Sequence, residues 1–111
     1  MSQNLLFICS RNQWRSPTAE KIFRKKGYNT RSAGTSPNAK RTLSHLDVKW
    51  ADHIFVMETK HRNRVRANFP RLMTNKSIHV LDIPDEFRFM DSELISMLEQ
   101  SVEPLLYLNQ V

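Results

Sequence analysis

A single cysteine, Cys9, stands in a chain of 111 residues. One thiol excludes an internal disulfide framework and suits a reducing compartment such as the cytoplasm. Glycine occurs only twice, which excludes a collagen-like repeat. Long apolar runs are missing: the stretch from Leu5 to Ile8 is four residues, far short of the roughly 20 that a membrane-spanning helix needs. Met1-Ser2-Gln3-Asn4 supplies neither the basic region nor the cleavage site of an export signal, so no export is expected. Acidic residues are scarce over the first 81 positions, with 4 Asp/Glu against 16 Lys/Arg, whereas residues 82–111 hold seven acids and only Arg88. Such a division predicts a basic face for anionic partners and an acidic C-terminal helix. The plainer reading is that the cations solvate helix surfaces.

What is present fits one domain spanning 1–111. A chain of this size buries roughly 65% of its unfolded surface, enough for a core without metal or disulfide staples. Hydrophobic residues make up 40% and charged residues 25%, the proportions of an ordinary globular protein. Leu5-Leu6-Phe7-Ile8 reads as a strand buried on both faces of a parallel sheet. A polar loop, Cys9 to Arg15, leads to Ser16-Pro17, which reads as an N-cap followed by proline at the first helical position. That helix carries Ala19, Ile22 and Phe23 and ends near Lys25-Lys26, with Gly27 placed at C′. Strands are expected at 28–33, 54–57 and 78–81. Helices are expected at 39–50 (with Leu43, Leu46 and Trp50 at helical spacing), at 58–68, and from an Asp91 cap to about Leu108. In the last helix Leu94, Met97, Leu98, Leu105 and Leu106 form the core face.

Strand and helix alternate four times, which implies an α/β fold with a four-stranded parallel sheet and helices on both faces. Ligands of such sheets bind at the carboxyl ends of the strands, where the loops after strands one and four both open. Cys9 ends the first strand there, above a helix N-terminus whose free N–H groups and partial charge favour anions, including a thiolate. Loop amides from Ser10 to Trp14 can curl round a phosphate as a nest. Arg15 can clamp two phosphate oxygens with a planar fork that lysine lacks. Taken alone, Cys-x5-Arg is a weak pattern; the strand, loop, cap and helix around it make it specific. A buried strand-end cysteine packing as a small hydrophobe is the bland alternative.

Cys9-Ser10-Arg11-Asn12-Gln13-Trp14-Arg15-Ser16-Pro17 resembles the signature loop of the low-molecular-weight protein tyrosine phosphatases. Ser32-Ala33-Gly34-Thr35 resembles that family's second-strand motif, and Ala51-Asp52-His53-Ile54-Phe55-Val56-Met57 its third strand. Ile83-Pro84-Asp85, with Asp91 six residues on, resembles its acid loop. The match runs in order from about residue 4 to residue 100. The resemblance implies a cysteine-dependent phosphomonoesterase acting on a phosphorylated protein or small phosphomonoester, with protein phosphotyrosine as the foremost candidate. Cys9 would be the nucleophile, Arg15 the phosphate clamp and Asp85 the general acid, with Asp82 as the alternative acid. Ser10, Arg11, Asn12, Gln13, Trp14 and Ser16 would surround the substrate, and Phe87 would wall an aromatic leaving group. Ser16 would donate to the thiolate, while Asn12 and Ser32 would hold the loop's shape. Neither metal nor cofactor is implied.

Several positions depart from the family pattern. Arg11 stands where the family usually has glycine, and Trp14 where many members carry a second cysteine. Glu86-Phe87-Arg88 follows Asp85 in place of the usual proline and aromatics. The chain is also short, mainly between Thr35 and Trp50, where the family places residues flanking the pocket entrance. Arsenate reduction on the same fold needs further cysteines. A phosphocarrier would have little use for an acid loop, but a non-catalytic module binding phosphorylated or nucleic-acid partners through the basic face stays open. His45, His53, His61 and His79 show no metal-ligand spacing. Lys60, Arg62, Arg64 and Arg66 lack the interleaved aromatics of a single-strand binder, so nucleic acid is an unfavoured partner.

Overall fold

The computed structural model describes residues 3–74 and 76–108; Met1 and Ser2, read above for an export signal, lie outside them. The elements run β1 (Asn4–Cys9), α1 (Arg15–Lys25), β2 (Asn29–Gly34), α2 (His45–Trp50), β3 (His53–Val56), α3 (Thr59–Asn68), β4 (Ile78–Val80) and α4 (Ser92–Leu108). All pairings are parallel, in the order β2-β1-β3-β4. The central strand β1 is covered on both faces, which explains its unbroken apolar run. Leu5, Phe7 and Cys9 point into one core with α1 and α4, including Phe23, Leu94, Leu98 and Leu106. Leu6 and Ile8 point into the other, with Val48, Ile54, Val56 and Val65. Phe7 lies between Phe23 and Phe55, with ring centroids 5.5 and 5.3 Å away.

Both glycines occupy places that need them. Gly27 follows α1 with φ of +102°. Its N–H donates to the Arg24 carbonyl and the Tyr28 N–H reaches back to Phe23, the Schellman arrangement that closes a helix. A Cβ at Gly34 would lie 2.5 Å from both the Ser10 carbonyl oxygen and the Ala39 Cβ. Gly34 therefore lets the 35–43 segment pack directly against the loop after β1, and the Ser36 and Lys40 N–H groups donate to Ser10 and Arg11 carbonyls there.

Two expectations need correction. The helix expected from 39 begins only at His45, because Ser44 and Asp47 form a capping box that starts it there. Residues before it turn and bridge back, Thr42 pairing with Gly34. Leu46 is 61% exposed. Ser16 is not the cap of α1 either. Trp14 takes that position without a side-chain bond, and Ser16 is fully buried in the first turn with its hydroxyl on Cys9. Asp91 does cap α4, its Oδ1 accepting from the N–H groups of Glu93 and Leu94.

Candidate active site

Three chain segments meet at the carboxyl ends of β1, β3 and β4. The loop Ser10–Trp14 turns back over Cys9 because Asn12 adopts a left-handed backbone, φ +53°, a conformation asparagine tolerates well. Arg11 is not in that region, so an arginine fits there without strain. Among the described residues, none of the N–H groups from Ser10 to Trp14 donates to another backbone or side-chain group. The cavity beside this loop, about 300 Å³, is lined by Cys9, Arg11, Gln13, Trp14, Arg15 and Asp85, whereas Ser10, Asn12 and Ser16, expected round the substrate, are not among its lining residues.

A chain of hydrogen bonds reaches the Cys9 sulfur. Asn12 Nδ2 donates to Ser32 Oγ (2.8 Å) and to Ser16 Oγ (3.0 Å). Ser32 Oγ in turn donates to the Glu20 carboxylate at 2.7 Å. The Ser16 hydroxyl also lies 2.9 Å from Cys9 Sγ, where either atom can donate, and 3.5 Å from the Ala33 carbonyl, to which it can donate instead; a thiolate at Cys9 would draw the proton to sulfur. The four side chains Cys9, Asn12, Ser16 and Ser32 are all buried, so the bonds among them are shielded from competing water, while the one to Glu20 is partly exposed.

Arg15 is 2% exposed and is held from the far side of the cavity. Its Nη1 donates to Glu58 Oε1 (2.5 Å) and to the Ile83 carbonyl (2.8 Å). Asp85 Oδ1 lies 3.7 Å from Arg15 Nε. Burial alone would raise the Glu58 pKa, but the hydrogen bond and charge of Arg15 outweigh it and hold the carboxyl below its ordinary range. Of the two candidate acids, Asp85 shares the cavity with Cys9, whereas Asp82 lines a separate cavity with Glu58, Thr59, Lys60 and Pro84. Phe87 packs against the α1/α4 core and is not among the residues lining the Cys9 cavity.

Glu58 and His61 are functional candidates that the sequence reading passed over. Glu58 begins α3 as its cap and forms a reciprocal capping box with His61. His61 Nδ1 accepts from the Glu58 N–H at 3.0 Å, so Nε2 carries the proton and donates to Ser10 Oγ at 2.8 Å. One Glu-x-x-His pair thereby holds the phosphate-type loop at both ends, Ser10 and Arg15. The spacing that signals a capping box was visible in the sequence; its reach across to β1 was not.

Burial and the neighbouring Arg15 charge push the His61 pKa down to about 4. The imidazole is neutral when folded and titrates near 6.5 when unfolded. Below that value the unfolded chain binds the extra proton, so acid destabilises the fold as pH falls from about 6.5 through about 4. We expect a loss of roughly 3 kcal/mol across that window, read as a falling melting temperature. In His61→Gln the corresponding part of the slope should vanish; an unchanged acid profile would contradict the assignment.

The other histidines stand apart: His53 and His79 stack with Phe55, and His45 is exposed. No group of three or more His, Cys, Asp or Glu among the described residues is placed to hold a metal ion. On α3, Lys60, Arg64 and Arg66 are exposed while Val65 and His61 face inward. Trp50 is partly buried, with the Arg31 guanidinium 4.3 Å from its ring.

No family model and no curated protein matches the sequence. Solved structures do match its fold. The chain is similar to the YwlE arginine phosphatase of Geobacillus stearothermophilus, at 23% identity and a TM-score of 0.72, over 95% of this chain and 94% of that one. It is similar to the tyrosine phosphatase Wzb of Escherichia coli K30 in complex with phosphate (20% identity, TM-score 0.71, 95% and 96% covered). A low-molecular-weight phosphotyrosine phosphatase of Vibrio cholerae O395, VcLMWPTP-2, gives 22% identity and a TM-score of 0.72 over 98% and 97%. The fold of this chain is therefore the one these three phosphatase structures share. The α/β architecture with its loop after β1 accords with that expected from the residues.

Proposed function

We propose that the protein is a cysteine-dependent phosphomonoesterase that acts through a cysteinyl-phosphate. The observation that carries this reading is the placement of Cys9 at a cavity with Arg15, Asp85 and a run of uncommitted loop amides. The similar phosphatase structures support it. A phosphate over Cys9 would receive the loop N–H groups and the Arg15 guanidinium, which together spread its negative charge as the phosphoryl group transfers. The sulfur attacks phosphorus and the bond to the leaving oxygen breaks, with Asp85 giving that oxygen a proton. In the second half, the deprotonated Asp85 takes a proton from water as it attacks the phosphocysteine. Sulfur leaves as thiolate, steadied by the Ser16 hydroxyl, and inorganic phosphate forms.

Phosphotyrosine in a protein is the substrate class we favour, with phosphoarginine as the chemistry of a similar phosphatase. The lone, catalytically required thiol supports a reducing, cytoplasmic setting. Among the described residues no helix is long and apolar enough to cross a membrane. Separation of Asp82 from the Cys9 cavity supports Asp85 as the acid.

The test is hydrolysis of aryl phosphates across a series of leaving groups. Wild type should turn over p-nitrophenyl phosphate with inhibition by vanadate. In Asp85→Asn, rates on phenyl phosphate should fall by about 10²–10³-fold, and far less on p-nitrophenyl phosphate, whose leaving group needs no proton. A larger effect from Asp82→Asn would reassign the acid. A folded, reduced wild type without any turnover would reject the phosphatase reading.

A further inference from the structure

Two exposed cations, one lining the Cys9 cavity and one lining the cavity beside it, form no ion pair among the described residues. Arg11 is exposed and lines the Cys9 cavity. Lys40 is exposed and lines a neighbouring cavity of about 420 Å³ whose wall includes Gln13 and Trp14, residues that also line the first. The two backbones are joined, the Lys40 N–H donating to the Arg11 carbonyl at 3.0 Å. Nearby arginines are ion-paired: Arg15 with Glu58 and Arg24 with Glu20, while Arg31 and Arg41 share Asp47. Among the described residues neither Arg11 nor Lys40 forms such a pair.

The Cys9 cavity carries one acidic side chain, Asp85, and Asp82, Glu86 and Arg88 of the same loop are exposed. A phosphate above Cys9 would be held first by Arg15 and the loop amides, and the further positive charge of Arg11 and Lys40 favours a second anionic group beside it. The Glu20 carboxylate in the second cavity is already engaged by Arg24 and Ser32, so it does not neutralise Lys40.

We infer that Arg11 and Lys40 form a subsite for a second anionic group, so that the favoured substrate carries a carboxylate or a further phosphate beside the phosphomonoester being hydrolysed. Either an acidic residue flanking a phosphoresidue or the second phosphate of a small bisphosphate supplies that chemistry. The inference rests on a phosphate occupying the Cys9 cavity, the reading proposed above.

The test uses calorimetric binding to Cys9→Ser, which separates recognition from turnover. One arm compares a phosphotyrosine peptide flanked by glutamates with its glutamine counterpart; the other compares a hexose bisphosphate with the monophosphate. The doubly charged ligand should bind about fivefold to tenfold tighter in at least one arm, with the preference shrinking at high salt. Adding Arg11→Gln and Lys40→Ala should bring the preference below about twofold. A preference in the peptide arm identifies acidic flanking residues as the source; one confined to the sugar arm identifies the small bisphosphate. Equal binding in both arms, or a preference that survives the two substitutions, overturns the subsite and leaves the phosphate site standing. Failure of even the singly phosphorylated ligands to bind rejects the phosphate site itself, and the subsite with it.

Discussion

Cys9→Ser is expected to lower turnover of p-nitrophenyl phosphate by roughly 10⁴-fold or more while leaving the fold intact. Removal of a covalent nucleophile typically produces losses of this order, because the remaining site binds substrate but has nothing to attack with. A serine hydroxyl in the same place is still within reach of Ser16, but it lacks the anionic form that thiols reach readily near neutral pH. Packing changes little, since sulfur becomes a smaller oxygen at the end of β1 and the aromatic core around Phe7 is untouched. Melting temperature should therefore stay within a few degrees of wild type, on the basis of one altered hydrogen bond worth about 1 kcal/mol. Phosphate and vanadate should still bind. Retained turnover in a folded Cys9→Ser protein would remove the proposed nucleophile.

Arg15→Lys should be the second most damaging substitution, lowering kcat/KM by about 10³-fold. Lysine keeps the positive charge, so the loss isolates what the guanidinium's shape contributes. Arg15 Nη1 is committed to Glu58 and to the Ile83 carbonyl, and that commitment fixes the plane of the fork facing the cavity. An ammonium cannot hold both of those partners and still present two parallel donors to a phosphate. Glu58, released from its partner, would then bring an uncompensated carboxylate close to an anionic substrate. Glu58→Gln made in the Arg15→Lys background should therefore recover part of the lost activity, whereas in wild type the same change should lower it. Equal activity of Arg15→Lys and wild type would show that shape is irrelevant. Additive effects of the two substitutions would show that Glu58 does not act through Arg15.

Much of this architecture was legible because physical constraint and sequence coincide. The apolar run in β1 required a strand covered on both faces, and Gly27 required a left-handed helix end. The loop from Cys9 to Arg15 was readable as a candidate site because a cysteine, a helix start and an arginine lie within seven consecutive residues. What escaped was contact across the sheet. Glu58 and His61 look like the opening of a basic helix until β1 and β3 are set side by side, when they come to bear on Arg15 and Ser10. Residues 39–44 differ from the expected helix because Leu43, Leu46 and Trp50 fit a helical period, while the capping box at Ser44 and the tight approach at Gly34 determine the path there. Ser16 beside proline has the local chemistry of a cap; only burial against Cys9 and Asn12 explains its different role.

The most direct test of the central claim is acid-quenched mass spectrometry of the enzyme during turnover of p-nitrophenyl phosphate, using Asp85→Asn. With a good leaving group the first step hardly needs the acid, whereas water attack on the phosphoenzyme does, so the intermediate should accumulate. The account predicts a burst of one p-nitrophenolate per chain and one phosphate on the Cys9 peptide, both absent when Cys9 is also replaced by serine. Hydrolysis with neither burst nor modified Cys9, or a phosphate found on another residue, would contradict it.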